Sequence, residues 1–306
     1  MVLMWGVALF HYNEQGISSM KRMSMKMKYK SKLYGSAFAL ISISGFVFFY
    51  MYPFIISINK TFSTRTNQYT SLFSSEAFRL ALKNTLEFVG IGIPVLYVLS
   101  LLTALAMNRL YSWKVKGRGI ILALHVLPML IPSAVVAFFI QVFFERYGVV
   151  NGVLEKLDLS TVDWLYSSKA FLVLMMIYLW KNYGYCMIIM MGGIQSIPSE
   201  TIEAAKLEGA GKLTILRKII LPQIKTYSIF TCMMGIIGIF KVFRESYMMF
   251  GNYPDKSIYM LQNFMNNCFY SLNYNRLATA STIMIGIFSV FVLAMLYQDN
   301  EWRRKV

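Results

Sequence analysis

The sequence predicts an all-α, polytopic membrane protein with six transmembrane helices, and three observations carry that reading. Of 306 residues, 57% are hydrophobic and only 14% charged, and the mean hydropathy is +0.53; soluble domains carry about 25% charged residues. Apolar windows of roughly 20 residues, enough for a helix to cross a hydrocarbon core of about 30 Å, recur six times. No segment alternates with the two-residue period of a membrane barrel.

The six windows are read in chain order. Four are free of charge: Leu33–Asn59, Phe88–Asn108, Gly119–Phe144 and Leu277–Gln298. Two are interrupted: Ala170–Gln195 holds Lys181, and Thr226–Phe250 holds Lys241, Arg244 and Glu245. Pro94 is expected to bend the second span, and Pro128 with Pro132 the third, opening a cavity between helices.

Net charge +16 points to a membrane rather than to nucleic acid, because the basic residues lie between apolar blocks. With the N-terminus inside, segments 1–32, 109–118, 196–225 and 299–306 carry 18 Lys and Arg. The outer segments 59–87, 145–169 and 251–276 carry nine over the same total length, while acidic residues are nearly even at six against seven. Lys and Arg excess marks the cytoplasmic side, so both termini are expected there. Residues 1–32 read as a tail, 33–298 as the six-helix domain including the 196–225 loop, and 299–306 as a second tail. The apolar start "MVLMWGVALF" is too short to span, and no convincing cleavage site follows it. It is either a loose extension or precedes a true start at a later methionine such as Met20 or Met25.

Metal and redox chemistry find no support in the spacing. Cys186, Cys232 and Cys268 are far apart, and His11 and His125 form no cluster with them. No metal ligands and no catalytic residues are assigned. The stretch "EGAGKLT" at 208–214 superficially resembles a phosphate-binding loop. That loop requires a glycine where Lys206 stands and Ser or Thr where Leu213 stands, so the likeness fails.

Residues 198–222, "PSETIEAAKLEGAGKLTILRKIILP", instead read as helix, break, helix. Ser199 is placed to cap the first helix, and Glu200 and Glu203 suit its positive end. Ala204 and Ala205 leave little bulk, which lets a partner surface come close. Gly209 is suited to the left-handed conformation that ends the helix. Taken by itself, this pattern also fits an ordinary amphipathic connector at the membrane surface.

The full spacing is more specific: E-A-A, a glycine six residues after the glutamate, then I-x-L-P from Ile219. It resembles the coupling loop of binding-protein-dependent ABC importer permeases. The resemblance implies the type I permease fold and a docking role for Glu203, Ala204, Ala205, Gly209, Ile219, Leu221 and Pro222 against a separate ATPase. Glu208 stands where the family usually has Asp, and Thr226 where it often has Pro. "YPFIISINKTFS", "LKNTLEFVGIGIPV", "GVVNGVLEKL" and "WKNYGYCMIIMMGGIQSIPSETIEAA" further resemble the maltose and glycerol-phosphate branch. "YPDKSIYMLQNFMNN" and "YNRLATAST" resemble a subgroup importing oligosaccharides. Together these cover residues 33–298.

The resemblance implies a permease subunit of an ATP-driven sugar importer in a bacterial cell membrane. It implies a second homologous permease subunit, an ATPase dimer holding ATP and magnesium, and an extracellular solute-binding protein, with no cofactor on this chain. The same loop also serves importers of other solutes. An ATP-independent secondary transporter would fit six helices with buried charges, but no inverted repeat between halves is visible.

Charges within spans usually face a cavity or a partner, since mid-membrane Lys or Arg costs about 2.5–3.5 kcal/mol on insertion scales. Lys181, with Asn182, Tyr183 and Tyr185 nearby, fits a hydrogen-bonding group beside a sugar path. It equally fits an inter-subunit or snorkelling lysine. Lys241 and Glu245, four apart with Arg244 beside them, are expected to share one helix face turned to the bundle interior. Phe243 and Tyr247 would offer aromatic faces to a sugar; alternatively the charges form an outer interface belt with Tyr247 and Tyr253 as aromatic anchors.

Overall fold

The computed structural model describes residues 34–36, 38–62 and 68–303. The tail at 1–32, with its start-site question, lies outside the described residues. The chain divides into two units, 1–63 and 64–306, and each is described by itself.

The first unit is helix α1 (Tyr34–Asn59), which widens through a π-helical turn at Val47–Met51 and continues as Tyr52–Phe62. It is apolar on all sides, and its side chains are nearly all exposed within its own unit, Phe38, Ile41 and Phe49 among them. An all-round apolar helix is stable only in lipid or under other chains. Ser42 and Ser44 turn their hydroxyls back onto the carbonyls of Phe38 and Ile41, which satisfies both within the helix.

The second unit is built along α3 (Glu76–Ser112), which follows short α2 (Gln68–Ser74). At 1.5 Å per residue α3 is about 55 Å long, well beyond the core of a bilayer. The span expected at 88–108 is thus its central part. Pro94 lies inside this uninterrupted helix. Three apolar clusters follow one another along α3. Phe78 and Ala81 belong to the first, Phe88 and Leu96 to the second, and Leu101, Ala104 and Met107 to the third.

Beside α3 runs α7 (Ala170–Gln195), half of whose residues are buried and which supplies both the second and third clusters. It packs closely on α4 (Arg118–Leu130) and α10 (Lys225–Lys241) because glycines stand at the crossings. A Cβ on Gly184 would overlap the His125 carbonyl oxygen of α4, at 1.9 Å. A Cβ on Gly238 of α10 would meet Asn182 at 2.6 Å. Small residues at such contacts let backbones approach where lipid offers no hydrophobic drive.

The third expected span, Gly119–Phe144, is corrected to two helices. α4 ends at Leu130, Ile131 is extended, and α5 (Ser133–Phe144) begins after Pro132. Proline lacks the amide that would continue the ladder and pushes the residue before it out of the helical region, so the chain breaks there. Pro128 is accommodated within α4. Beside the break, Ile131, Phe139, Phe143, Met176 and Trp180 line an apolar groove of about 590 Å³ between α5 and α7.

Helix α6 (Val149–Lys156) follows α5 within one long apolar stretch, Ser133–Lys156, while α8 (Ser199–Leu207) and α9 (Lys212–Ile215) lie in the connection between the fourth and fifth spans. The fifth span is α10 followed, after a turn at Val242, by α11 (Phe243–Phe250). Then come α12 (Leu261–Tyr270) and α13 (Tyr274–Arg303), the latter continuing into the segment read as a C-terminal tail. Six helical stretches are long and apolar enough to cross a membrane. The described residues contain no strand. This is the all-α polytopic fold the sequence predicts.

Candidate functional site

Two features stand out: the connection that carries α8, and a charged cluster at the break of the third span. The first lies at the same end of the bundle as the basic 109–118 segment. Leu110 and Tyr111 pack with Ile197, Ile215, Ile220 and Ile224 in one cluster. The α8 connection and 109–118 together bring nine Lys and Arg to this end.

Helix α8 starts after Pro198, whose fixed φ suits a helix entrance. Ser199 is already helical and makes no capping bond, which corrects the expectation that it caps; Pro198 holds that position. Gly209 ends the helix as expected, at φ +82. Its amide donates to the Lys206 carbonyl at 3.0 Å, and the Ala210 amide donates to the Ala205 carbonyl at 2.9 Å. These two bonds form a Schellman motif, which needs a left-handed residue at that point.

One face of α8, Ile202 and Ala205, packs onto the cluster beneath it. The other presents Glu203, Ala204 and Leu207, the last 90% exposed. Among the described residues no basic side chain pairs with Glu203. After α9 the chain passes through a π-helical turn at Leu216–Ile220 into Leu221–Gln223. Pro222 follows the wider turn, and its missing amide cannot extend a regular ladder. Ile219 and Leu221 pack against the inner cluster, and Pro222 is half-buried. Thus the loop residues divide. Glu203, Ala204 and Gly209 are exposed, while Ala205, Ile219 and Leu221 hold the loop to the bundle.

The second feature is assembled from three spans. The Lys181 ammonium of α7 lies 2.6 Å from Glu245 Oε1 of α11 and donates at 3.2 Å to the Ile131 carbonyl. Ser133 Oγ donates to the same Glu245 oxygen at 2.8 Å. The Glu245 side chain is 4% exposed and that of Lys181 16%. Pro132 explains the arrangement, because breaking the helix frees the Ile131 carbonyl and starts α5 with Ser133. Two charges buried this way are strongly desolvated, so each depends on the other and on its hydrogen bonds.

Lys241 and Glu245 do not share a face. Glu245 turns inward to Lys181, whereas Lys241 and Arg244 are exposed and, among the described residues, without an acidic partner. The turn at Val242 and the pull of Lys181 decide this. Phe243 and Tyr247 are half-buried, with ring centroids 5.6 Å apart. Asn182 donates to the Tyr178 carbonyl at 2.8 Å and wedges against Gly238 within the α7–α10 contact. Tyr185 is half-buried on α7. The structure therefore brings Lys181 and Glu245 together and leaves the other candidate path residues outside the ion pair.

Sequence reasoning missed three polar residues. Ser133 is a hydroxyl directly after a proline in an otherwise apolar run, the available signal for it. Asn84 Nδ2 donates to the carbonyls of Lys256 at 2.6 Å and Tyr259 at 3.0 Å, tying α3 to the segment before α12. Asn151, 1% exposed, donates to Arg146 and Val162 carbonyls and accepts from the Val162 amide and Trp164 Nε1. Both asparagines sit in the stretches "LKNTLEFVG" and "GVVNGVLEKL", where a lone amide among apolar residues is the signal.

Comparison with known proteins follows the same lines. Over 286 residues the chain is 27% identical to the arabinooligosaccharides transport system permease protein AraP of Bacillus subtilis, covering 88% of each chain. It is 25% identical over 295 residues to the trehalose/maltose transport system permease protein MalF of Thermococcus litoralis, covering 92% of this chain and 98% of that one. Its fold matches a chain of a bacterial alginate ABC transporter, solved in complex with an alginate pentasaccharide-bound periplasmic protein, with TM-score 0.75. That match has 24% identity and covers 87% of this chain and 93% of the other. Residues 97–300 match the model of the family described as binding-protein-dependent transport system inner membrane component. With two thirds of its length matched and its six apolar helices, this multi-pass membrane protein belongs to the family of binding-protein-dependent transport system inner membrane components.

Proposed function

We propose that the chain is one of two homologous permease subunits of an ATP-driven oligosaccharide importer in a bacterial cell membrane, with both termini cytoplasmic. The observation that carries this reading is α8, a short helix held to the bundle on one face and exposing Glu203, Ala204 and Leu207 on the other. Such a face fits a cleft in a separate ATPase subunit. ATP and magnesium would be held by that ATPase pair, and an extracellular solute-binding protein would deliver the sugar. The names of the relatives, arabinooligosaccharides and trehalose/maltose among them, support a sugar of more than one unit.

The mechanics follow from the packing. Closure of the ATPase pair moves α8. Through Ile202 and Ala205 the movement reaches the cluster containing Met187, Met190 and Met191 of α7. From Met191 to Lys181 is ten residues, about 15 Å of helix, so α7 carries the displacement as a rod to the middle of the membrane. Rigid-body rocking of packed helices then exchanges inward and outward openings.

Orientation and transport are tested separately. Cysteines introduced at Lys156 and Lys256 are expected to react with an impermeant maleimide on intact cells, and one at Lys212 only after lysis. Reaction of position 212 from outside would reverse the topology. Deleting the chain is expected to abolish uptake of at least one labelled oligosaccharide from a panel, with rescue by the intact chain. Uptake of every saccharide at the wild-type rate in the deletion strain would remove the sugar assignment.

A further inference from the structure

The half of α3 that leads toward the α8 connection turns one face outward, and that face ends in a cation. Between Leu96 and Leu110 the only exposed residues are Val98, Leu102, Ala106 and Arg109. Steps of four, four and three residues set them on one side of the helix. The opposite side, with Leu101, Ala104 and Met107, is buried in the cluster beneath α8. Trp113 continues the stripe one turn on, directly after the last helical residue, and is 65% exposed. The Arg109 guanidinium lies over its ring, 4.8 Å from the centroid, which places both side chains on that face. From Val98 to Arg109 is about 16 Å of helix, half of a hydrocarbon core of about 30 Å. The stripe is thus one leaflet deep, apolar along its length, with a cation and an indole at headgroup level.

Arg109 is placed to take an anion. The next arginine, Arg118, donates to the Tyr111 carbonyl at 3.2 Å and lies over that ring. Arg109 has the Trp113 ring and, among the described residues, no acidic partner. Stacking leaves the edge of a guanidinium open, and that edge matches a phosphate with two parallel hydrogen bonds. Residues 109–118 contain no acid, and Lys114, Lys116 and Arg118 add charge of the same sign. A cation at the edge of hydrocarbon selects a molecule that brings an anion to that level. A phospholipid carries its phosphate on the same molecule whose acyl chain can follow the apolar stripe. A zwitterionic headgroup holds its own ammonium beside the phosphate, which four basic residues repel.

We propose that Val98, Leu102, Ala106, Arg109 and Trp113 form a binding site for one anionic phospholipid. Its phosphate sits on Arg109 and an acyl chain runs along α3. The site stands on the membrane-spanning fold and holds whichever solute is carried.

The test uses the full chain, with the subunits that co-purify with it, in nanodiscs of phosphatidylcholine. Acyl-brominated phosphatidylglycerol or acyl-brominated phosphatidylcholine is titrated in, since bromine quenches a nearby indole. The chain has five tryptophans, so the Trp113 signal is the difference between wild type and Trp113→Phe. The anionic lipid is expected to quench it at about a fivefold lower mole fraction, the scale of one cation beside an anionic headgroup. Arg109→Gln should remove most of that preference, and Arg109→Lys should keep part of it as a point charge without the fork. Inorganic phosphate should not compete. Equal quenching by the two lipids overturns the site, as does a preference unchanged in Arg109→Gln. Competition by inorganic phosphate would mean a soluble anion and would remove the lipid. If neither lipid quenches Trp113, protein such as a partner subunit covers the stripe, and the inference fails.

Discussion

Gly209→Pro and Glu203→Lys are each expected to leave the chain inserted in the membrane at wild-type levels and to abolish transport. At φ +82, Gly209 occupies a conformation that proline, fixed near −65°, cannot adopt. Proline also removes the amide that donates to Lys206, so the Schellman motif unravels and α8 loses its defined end. Glu203 is exposed and unpaired by any described basic residue, so reversing its charge does not disturb the chain's own packing. A reversed charge in a docked interface costs several kcal/mol, which corresponds to about a hundredfold or more in coupling. The measurement is substrate-stimulated ATP hydrolysis and uptake by the reconstituted complex. Gly209→Ala, which pays about 1–2 kcal/mol for the left-handed conformation, should fall between. Wild-type transport by both Gly209→Pro and Glu203→Lys would reduce α8 to a connector.

The buried ion pair should respond oppositely to single and double replacement. Lys181→Met leaves Glu245, 3% exposed, with only the Ser133 hydroxyl; Glu245→Leu leaves the ammonium with only the Ile131 carbonyl. Removing one partner of a buried pair costs about 3–5 kcal/mol, whereas an apolar pair of similar volume is often neutral or stabilising. Each single variant should therefore lose folded protein on denaturant titration in detergent, and Lys181→Met with Glu245→Leu should recover most of it. The exchanged pair, Lys181→Glu with Glu245→Lys, should not recover. It sets a carboxylate against the Ile131 carbonyl, which can only accept. Two fully stable single variants would mean that the pair is solvated in the working protein. Lys181→Met would then be examined for a raised half-saturating sugar concentration, the outcome expected of a lysine in the sugar path.

What the sequence determined by itself is what composition and local rules determine. Six apolar windows specify six helical crossings, because only a helix satisfies its own backbone in lipid. Gly209 specifies the end of α8, because left-handed backbone favours glycine at a helix terminus. The E-A-A spacing specified the family, since it reflects a local helix–break–helix design that survives in the linear order. Tertiary structure decided what depends on partners distant in the chain. Lys241 and Glu245 are four residues apart and suggest a pair along one helix. Glu245 instead pairs with Lys181, 64 residues away, because the α7–α11 contact offers it a cation and Ser133 in one dry site. The gap at Ile131 matters for the same reason. Pro132 signals a break in sequence, but only the packing of α7 against it shows that the freed carbonyl receives a lysine. Local geometry is encoded residue by residue, while the choice among possible charge partners is made by the packing that pairs the charges it buries and leaves the others exposed.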